Sequence, residues 1–132
     1  MADENKPNCV DDYDGLKESI LGSKWEIKVI DDVSDDAKTQ AILDDAYGIC
    51  DAYNRKILLN KKCILETDTT RDVESLLKTT LRHEIIHAFF YESGLWTSSG
   101  SADNWAVNEE MADWMAIQLP KIAKVYTDLS LM

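Results

Sequence analysis

A chain of 132 residues that is 45% hydrophobic and 8% aromatic has the length of one domain and enough apolar matter for a core, which excludes a disordered segment or a small disulfide-held scaffold. Its 25 acidic and 14 basic residues leave a net charge of −11. That balance argues against a nucleic acid or an anionic membrane surface as partner, and leaves a solvated acidic shell or attraction to a cationic peptide or metal ion.

Residues 1–14 are polar and Asp-rich, with no basic start and no apolar run, and are expected to form a loose acidic tail rather than a signal peptide. Residues 15–132 are expected to form a single domain. No stretch approaches the roughly 18 apolar residues that span a bilayer. Cys9, Cys50 and Cys63 cannot all pair and none stands in a C-x-x-C, so reduced thiols in a soluble, cytoplasmic protein are expected, with Cys9 within reach of a metal from the tail.

"KWEIKVID" alternates Trp25, Ile27 and Val29 against Glu26, Lys28 and Ile30, the pattern of a half-buried strand. "SDDAKTQAILDDA" opens on a Ser34 cap and is read as a short helix. "AYGICDAYNRKILLN" reads as two strands joined near Asp51–Asn54, with "RKILL" as a candidate sheet edge. A long helix is expected from about Asp72 to Ser93, capped from Asp68, Thr69 or Thr70 and stopped by Gly94 in a left-handed conformation. Leu77, Leu81, Ile85, Ala88 and Phe89 form its apolar stripe. "WTSSGSADN" is read as a loop ending at an Asp103 cap, and Trp96 and Trp105 either line a pocket or pack. A second helix is expected from roughly Asn104 to Leu119, where Pro120 ends or kinks it before a last turn or two in "KIAKVYTDL".

The long helix carries both of the chain's histidines, His83 and His87, in the run His83-Glu84-Ile85-Ile86-His87. Four residues apart on a helix, two imidazoles share a face at roughly 5–6 Å between Cβ atoms. Two such rings can fill two corners of a tetrahedral zinc site, and a catalytic site adds a third protein ligand and keeps the last corner for water. Glu84 is rotated away from the two rings but can meet that water as general base. With no third histidine, the third ligand must be a carboxylate from a second helix. "NEEMADWMA" offers Glu109, with Glu110 as the alternative, and Asp113 one turn later can accept the outer N–H of His83. Glu109, Ala112, Asp113 and Ala116 share one face, and Val107, Met111, Trp114 and Met115 supply the apolar remainder.

With Phe90 and Ser93 where a metzincin needs Gly and His, that class is excluded. The pair of motifs, H-E-x-x-H at His83–His87 and Asn108-Glu109-Glu110-Met111-Ala112-Asp113, resembles the gluzincin zinc peptidases. More narrowly, Glu109-x-x-Ala112-Asp113-x-Met115-Ala116 ahead of Pro120 is similar to the ImmA/IrrE-like metallopeptidases of phages and mobile elements, which have Asn and Phe where this chain has Asp113 and Met115. The resemblance implies a minimal zincin-like α+β fold, in which a small antiparallel sheet packs on the histidine helix and a glutamate-bearing helix. It implies one Zn2+ per chain on His83, His87 and Glu109, Glu84 as catalytic base, and an extended peptide or protein substrate on "RKILL". It also requires an oxyanion donor, for which Tyr126, Tyr91 and Arg82 are candidates. The expected function is zinc-dependent endopeptidase; the alternative is a zinc-stabilised regulatory or interaction module with little or no hydrolysis.

Overall fold

The structure, a computed structural model, describes residues 9–31, 46–66, 72–95 and 108–131. The described residues form an α+β arrangement of a four-stranded sheet and three helices. Strands β1 (Lys17–Ile20) and β2 (Ser23–Ile30) make a hairpin around Leu21 and Gly22, both at positive φ (49° and 91°), as a two-residue turn between twisted strands requires. In β2 the expected alternation holds: Trp25 and Ile27 are buried and Val29 packs against the same core. Strands β3 (Gly48–Asp51) and β4 (Lys56–Asn60) make the second hairpin, and both carboxylate oxygens of Asp51 accept bonds from Asn54 in its turn.

The sheet order is β1-β2-β4-β3, with β2 and β4 parallel, so the sheet is mixed rather than antiparallel. "RKILL" is therefore not an edge. β4 lies between β2 and β3, and Ile57 through Asn60 are all buried, as the unalternated run Ile57-Leu58-Leu59 requires of an interior strand. The edge is β3.

Helix α1 (Lys61–Leu65) follows β4 directly, its Asn60 cap accepting from the Cys63 N–H. Helix α2 (Val73–Glu92) is capped by Asp72, whose carboxylate accepts from the Glu74 N–H, rather than by Asp68, Thr69 or Thr70, which lie outside the described residues. It closes at Ser93 with Gly94 at φ 82°, where a left-handed residue costs glycine least. Helix α3 (Glu109–Asp128) begins at an Asn108 cap and runs through Pro120 without ending there.

Two apolar clusters result. Leu77, Leu81 and Ala88 of α2 pack under Trp25, Ile27, Ile57 and Leu59 of the sheet, while Ile86 and Phe90 meet Ala112 and Ala116 of α3. Ile85 is half-buried against the sheet cluster, but Phe89 stands 42% exposed and Phe90 takes the buried position, because α2 has neighbours on two sides rather than one stripe. Met111 and Met115 pack against the second cluster, and Trp114 is 57% exposed. Within residues 9–14 of the acidic segment, Val10 is buried, Asp11 pairs with Lys61 at 3.0 Å, and Asp14 accepts from the Val29 N–H. Cys9, Cys50 and Cys63 form no disulfide. Among the described residues no helix is long and apolar enough to cross a membrane. The Ser34-capped helix, Trp96, Asp103, Trp105 and Val107 lie outside the described residues.

Candidate metal centre

Both histidines project from the middle of α2 toward the first turns of α3. Their rings stand 4.8 Å apart between centroids at an interplanar angle of 71°. Glu109 is the first residue of α3, where the Asn108 cap fixes the backbone and the helix dipole favours a carboxylate. Its Oε2 lies 2.7 Å from His83 Nε2 and 3.3 Å from His87 Nε2, and the two ring nitrogens are 3.1 Å from each other. Three lone-pair atoms converge on one point. A proton can satisfy only one pair of them, whereas a cation satisfies all three. Ligand atoms on tetrahedral bonds of about 2.0–2.1 Å stand roughly 3.3–3.4 Å apart, so the observed spacings are slightly contracted from what such an ion needs. The group His83, His87 and Glu109 can thus hold a metal ion.

Asp113, one turn after Glu109, sits 2.6 Å from His83 Nδ1, the expected position, and fixes that ring with Nε2 turned to the centre. Glu110 does not line the cleft. Burial works against a charged His83, but Glu84, Asp113 and Glu109 outweigh it and hold its pKa above the ordinary value; burial pulls that of His87 down. Burial thus favours the neutral form of His87, the form that a metal ligand needs.

Glu84 is 5% exposed, with Oε1 3.8 Å from His83 Nε2 and Oε2 buried without a hydrogen-bond partner among the described residues. Burial pushes its pKa up to about 7; His83 pulls it back, and the carboxylates of Glu109 and Asp113 add to the rise. Such a carboxyl exchanges protons near neutral pH, which suits a group that must take one and release it.

The centre opens into a cleft of about 700 Å³ between β3 and the first half of α2. Tyr47, Gly48, Ile49 and Cys50 line one side, and Leu76, Thr79 and Thr80 the other. None of these was expected from the sequence. Gly48 carried a readable signal: a Cβ there would stand 3.0 Å from Thr80 Cγ2 and 3.2 Å from Glu84 Cγ, so only glycine lets the strand settle on the helix. Burial, and then Glu84, push the Cys50 thiol up to about 12, which keeps it as S–H rather than a nucleophile. Cys9 does not line this cleft.

None of the three residues expected to supply an oxyanion donor lines the cleft either. Tyr91 stacks edge-on against Trp25 at 6.4 Å between centroids, Tyr126 is exposed far along α3, and Arg82 donates from Nε to the Ala116 carbonyl at 2.9 Å. Among the described tyrosines, Tyr47 is the one in the cleft. Comparison of the chain with protein families, with curated proteins and with solved structures returned no match.

Proposed function

We propose that this chain is a zinc-dependent endopeptidase of the minimal gluzincin, ImmA/IrrE-like kind, with one Zn2+ held by His83, His87 and Glu109. The observation that carries the reading is the convergence of His83 Nε2, His87 Nε2 and Glu109 Oε2 beside a buried carboxyl, Glu84, whose Oε2 has no hydrogen-bond partner among the described residues. When bound, such an ion supplies Lewis acidity toward a carbonyl and toward water.

The rest is done by the chain. Asp113 holds the His83 ring by its outer nitrogen, and Glu109 brings α3 to the centre. An extended peptide pairs with the outer side of β3, which bonds only to β4 among the described residues, and its scissile carbonyl then lies over Glu84. Glu84 takes a proton from the attacking water and delivers it to the nitrogen of the departing amine, so that water adds across the amide and no covalent intermediate forms on the protein.

Metal analysis and digestion of a peptide library by wild type and Glu84→Gln test this. The variant should retain one zinc per chain and lose at least about a hundredfold in cleavage rate. Full cleavage by Glu84→Gln removes the mechanism. One observation favours a second reading, a zinc-stabilised regulatory or interaction module: none of Tyr126, Tyr91 and Arg82 reaches the cleft. Stoichiometric zinc with no cleavage by the wild type would select it.

A further inference from the structure

Arg82 precedes the first histidine but points away from the cleft, across the interface between α2 and α3. Its Nε donates to the Ala116 carbonyl at 2.9 Å, and its Nη2 donates to Thr79 Oγ1 at 3.2 Å, which anchors the guanidinium on its own helix. Ala116 is itself 1% exposed, so its carbonyl sits where an unmet acceptor is costly. In a regular helix that carbonyl would accept from the N–H of residue 120. Residue 120 is a proline within α3, which has no N–H and whose ring presses against the carbonyl four residues back. Pro120 thus opens one acceptor on α3, and Arg82 of α2 fills it with a charge-assisted bond.

The consequence concerns register. Arg82 meets residue 116, His83 meets Asp113, and both histidines meet Glu109, so the pairing runs in opposite senses along the two helices. Ile86 and Phe90 of α2 pack on the small side chains of Ala112 and Ala116, with Met111 and Met115 beside them, so this apolar contact brings the helices close and the polar bonds add directional constraints to it. We infer that Arg82 and Pro120 form a latch that sets the register of α3 on α2 and so places Glu109 opposite the two imidazoles. Arg82 is a positioning residue, two turns of α3 away from the ligand it places. The inference rests on the metal reading above.

The test is zinc affinity, by competition with a chromophoric chelator, measured beside metal-free thermal unfolding for wild type, Arg82→Met, Pro120→Ala and the double variant. Methionine keeps the apolar stem of Arg82 and removes the donor. Alanine at 120 restores the N–H, gives the Ala116 carbonyl a helical donor that competes with Arg82 and weakens its bond, and removes a poor helix former. Arg82→Met should lower zinc affinity roughly tenfold, in the range seen when a ligand's supporting partners are removed. Pro120→Ala should lower affinity by a similar factor while raising the metal-free unfolding temperature, a split that a merely structural proline would not produce. The double variant should bind zinc no more weakly than either single one, because both act on the same bond. Variants that bind zinc as tightly as a zinc-binding wild type overturn the latch alone. Wild-type protein that takes up no zinc overturns the metal reading and the latch with it.

Discussion

Glu84 carries the largest electrostatic tension of the candidate centre. With its pKa pushed from 4.5 up to about 7 by burial, the folded metal-free chain keeps a proton there that the unfolded chain has already released. Stability from this group is therefore greatest at acid pH and falls as pH rises from about 4.5 to about 7, by roughly 3 kcal/mol. His83 and His87 are displaced in opposite directions, and because Glu84 itself helps to raise His83, the difference between wild type and Glu84→Gln reports the carboxyl together with its coupling to that ring. Urea unfolding in chelator at pH 5 and pH 8 should show wild type losing stability relative to the variant across that interval; parallel losses would contradict it. His83, Glu84, His87, Glu109 and Asp113 were legible because helical spacing converts sequence offsets directly into shared faces. Arg82 was misplaced for the opposite reason: its partner is a backbone carbonyl whose availability depends on a proline in another helix.

At the level of elements, Gly48 is where strand and helix meet most closely. A Cβ there would fall 3.0 Å from Thr80 Cγ2 and 3.2 Å from the Leu58 carbonyl, so β3 is pinned from below and from the side. Gly48→Ala should cost about 1–3 kcal/mol of stability through overpacking. It should also reduce peptide hydrolysis more than zinc binding, since Glu84 shares the contact and the ligands do not. Calorimetry together with metal titration checks both; unchanged unfolding would show that the strand yields freely. The two helices and the second hairpin were legible from period and turn residues, while the observed caps, Asp72 and Asn108, are not the ones expected. Pro120 was expected to end or kink the second helix, and α3 continues through it, with Arg82 of α2 bonded to the Ala116 carbonyl; β1 went unseen because its turn places Leu21, an unusual residue at φ 49°, beside Gly22.

For the molecule as a whole, the pairing of β2 with β4 was not legible. It joins residues 23–30 to residues 56–60 in parallel, and local pattern does not name a distant partner; only the unbroken Ile57-Leu58-Leu59 run hinted that β4 is interior. The described helices differ in how firmly they are held. α2 is packed by the sheet on one side and by α3 on another, whereas α3 touches α2 through Ala112, Ala116 and their neighbours, and Val125, Tyr126 and Leu129 are exposed. An ion held between the two helices by His83, His87 and Glu109 would contribute to the docking of α3. Chelation should therefore speed amide hydrogen exchange along α3 while exchange in α2 and β4 stays slow, as mass spectrometry of fragments would resolve; a uniform change would count against it. The seat of β3 on α2 has a mechanical corollary. Glu84 Cγ would be only 3.2 Å from a methyl at Gly48, so the strand that the proposed substrate would grip lies directly over the stem of the proposed proton carrier, and a peptide pressing on one would bear on the other.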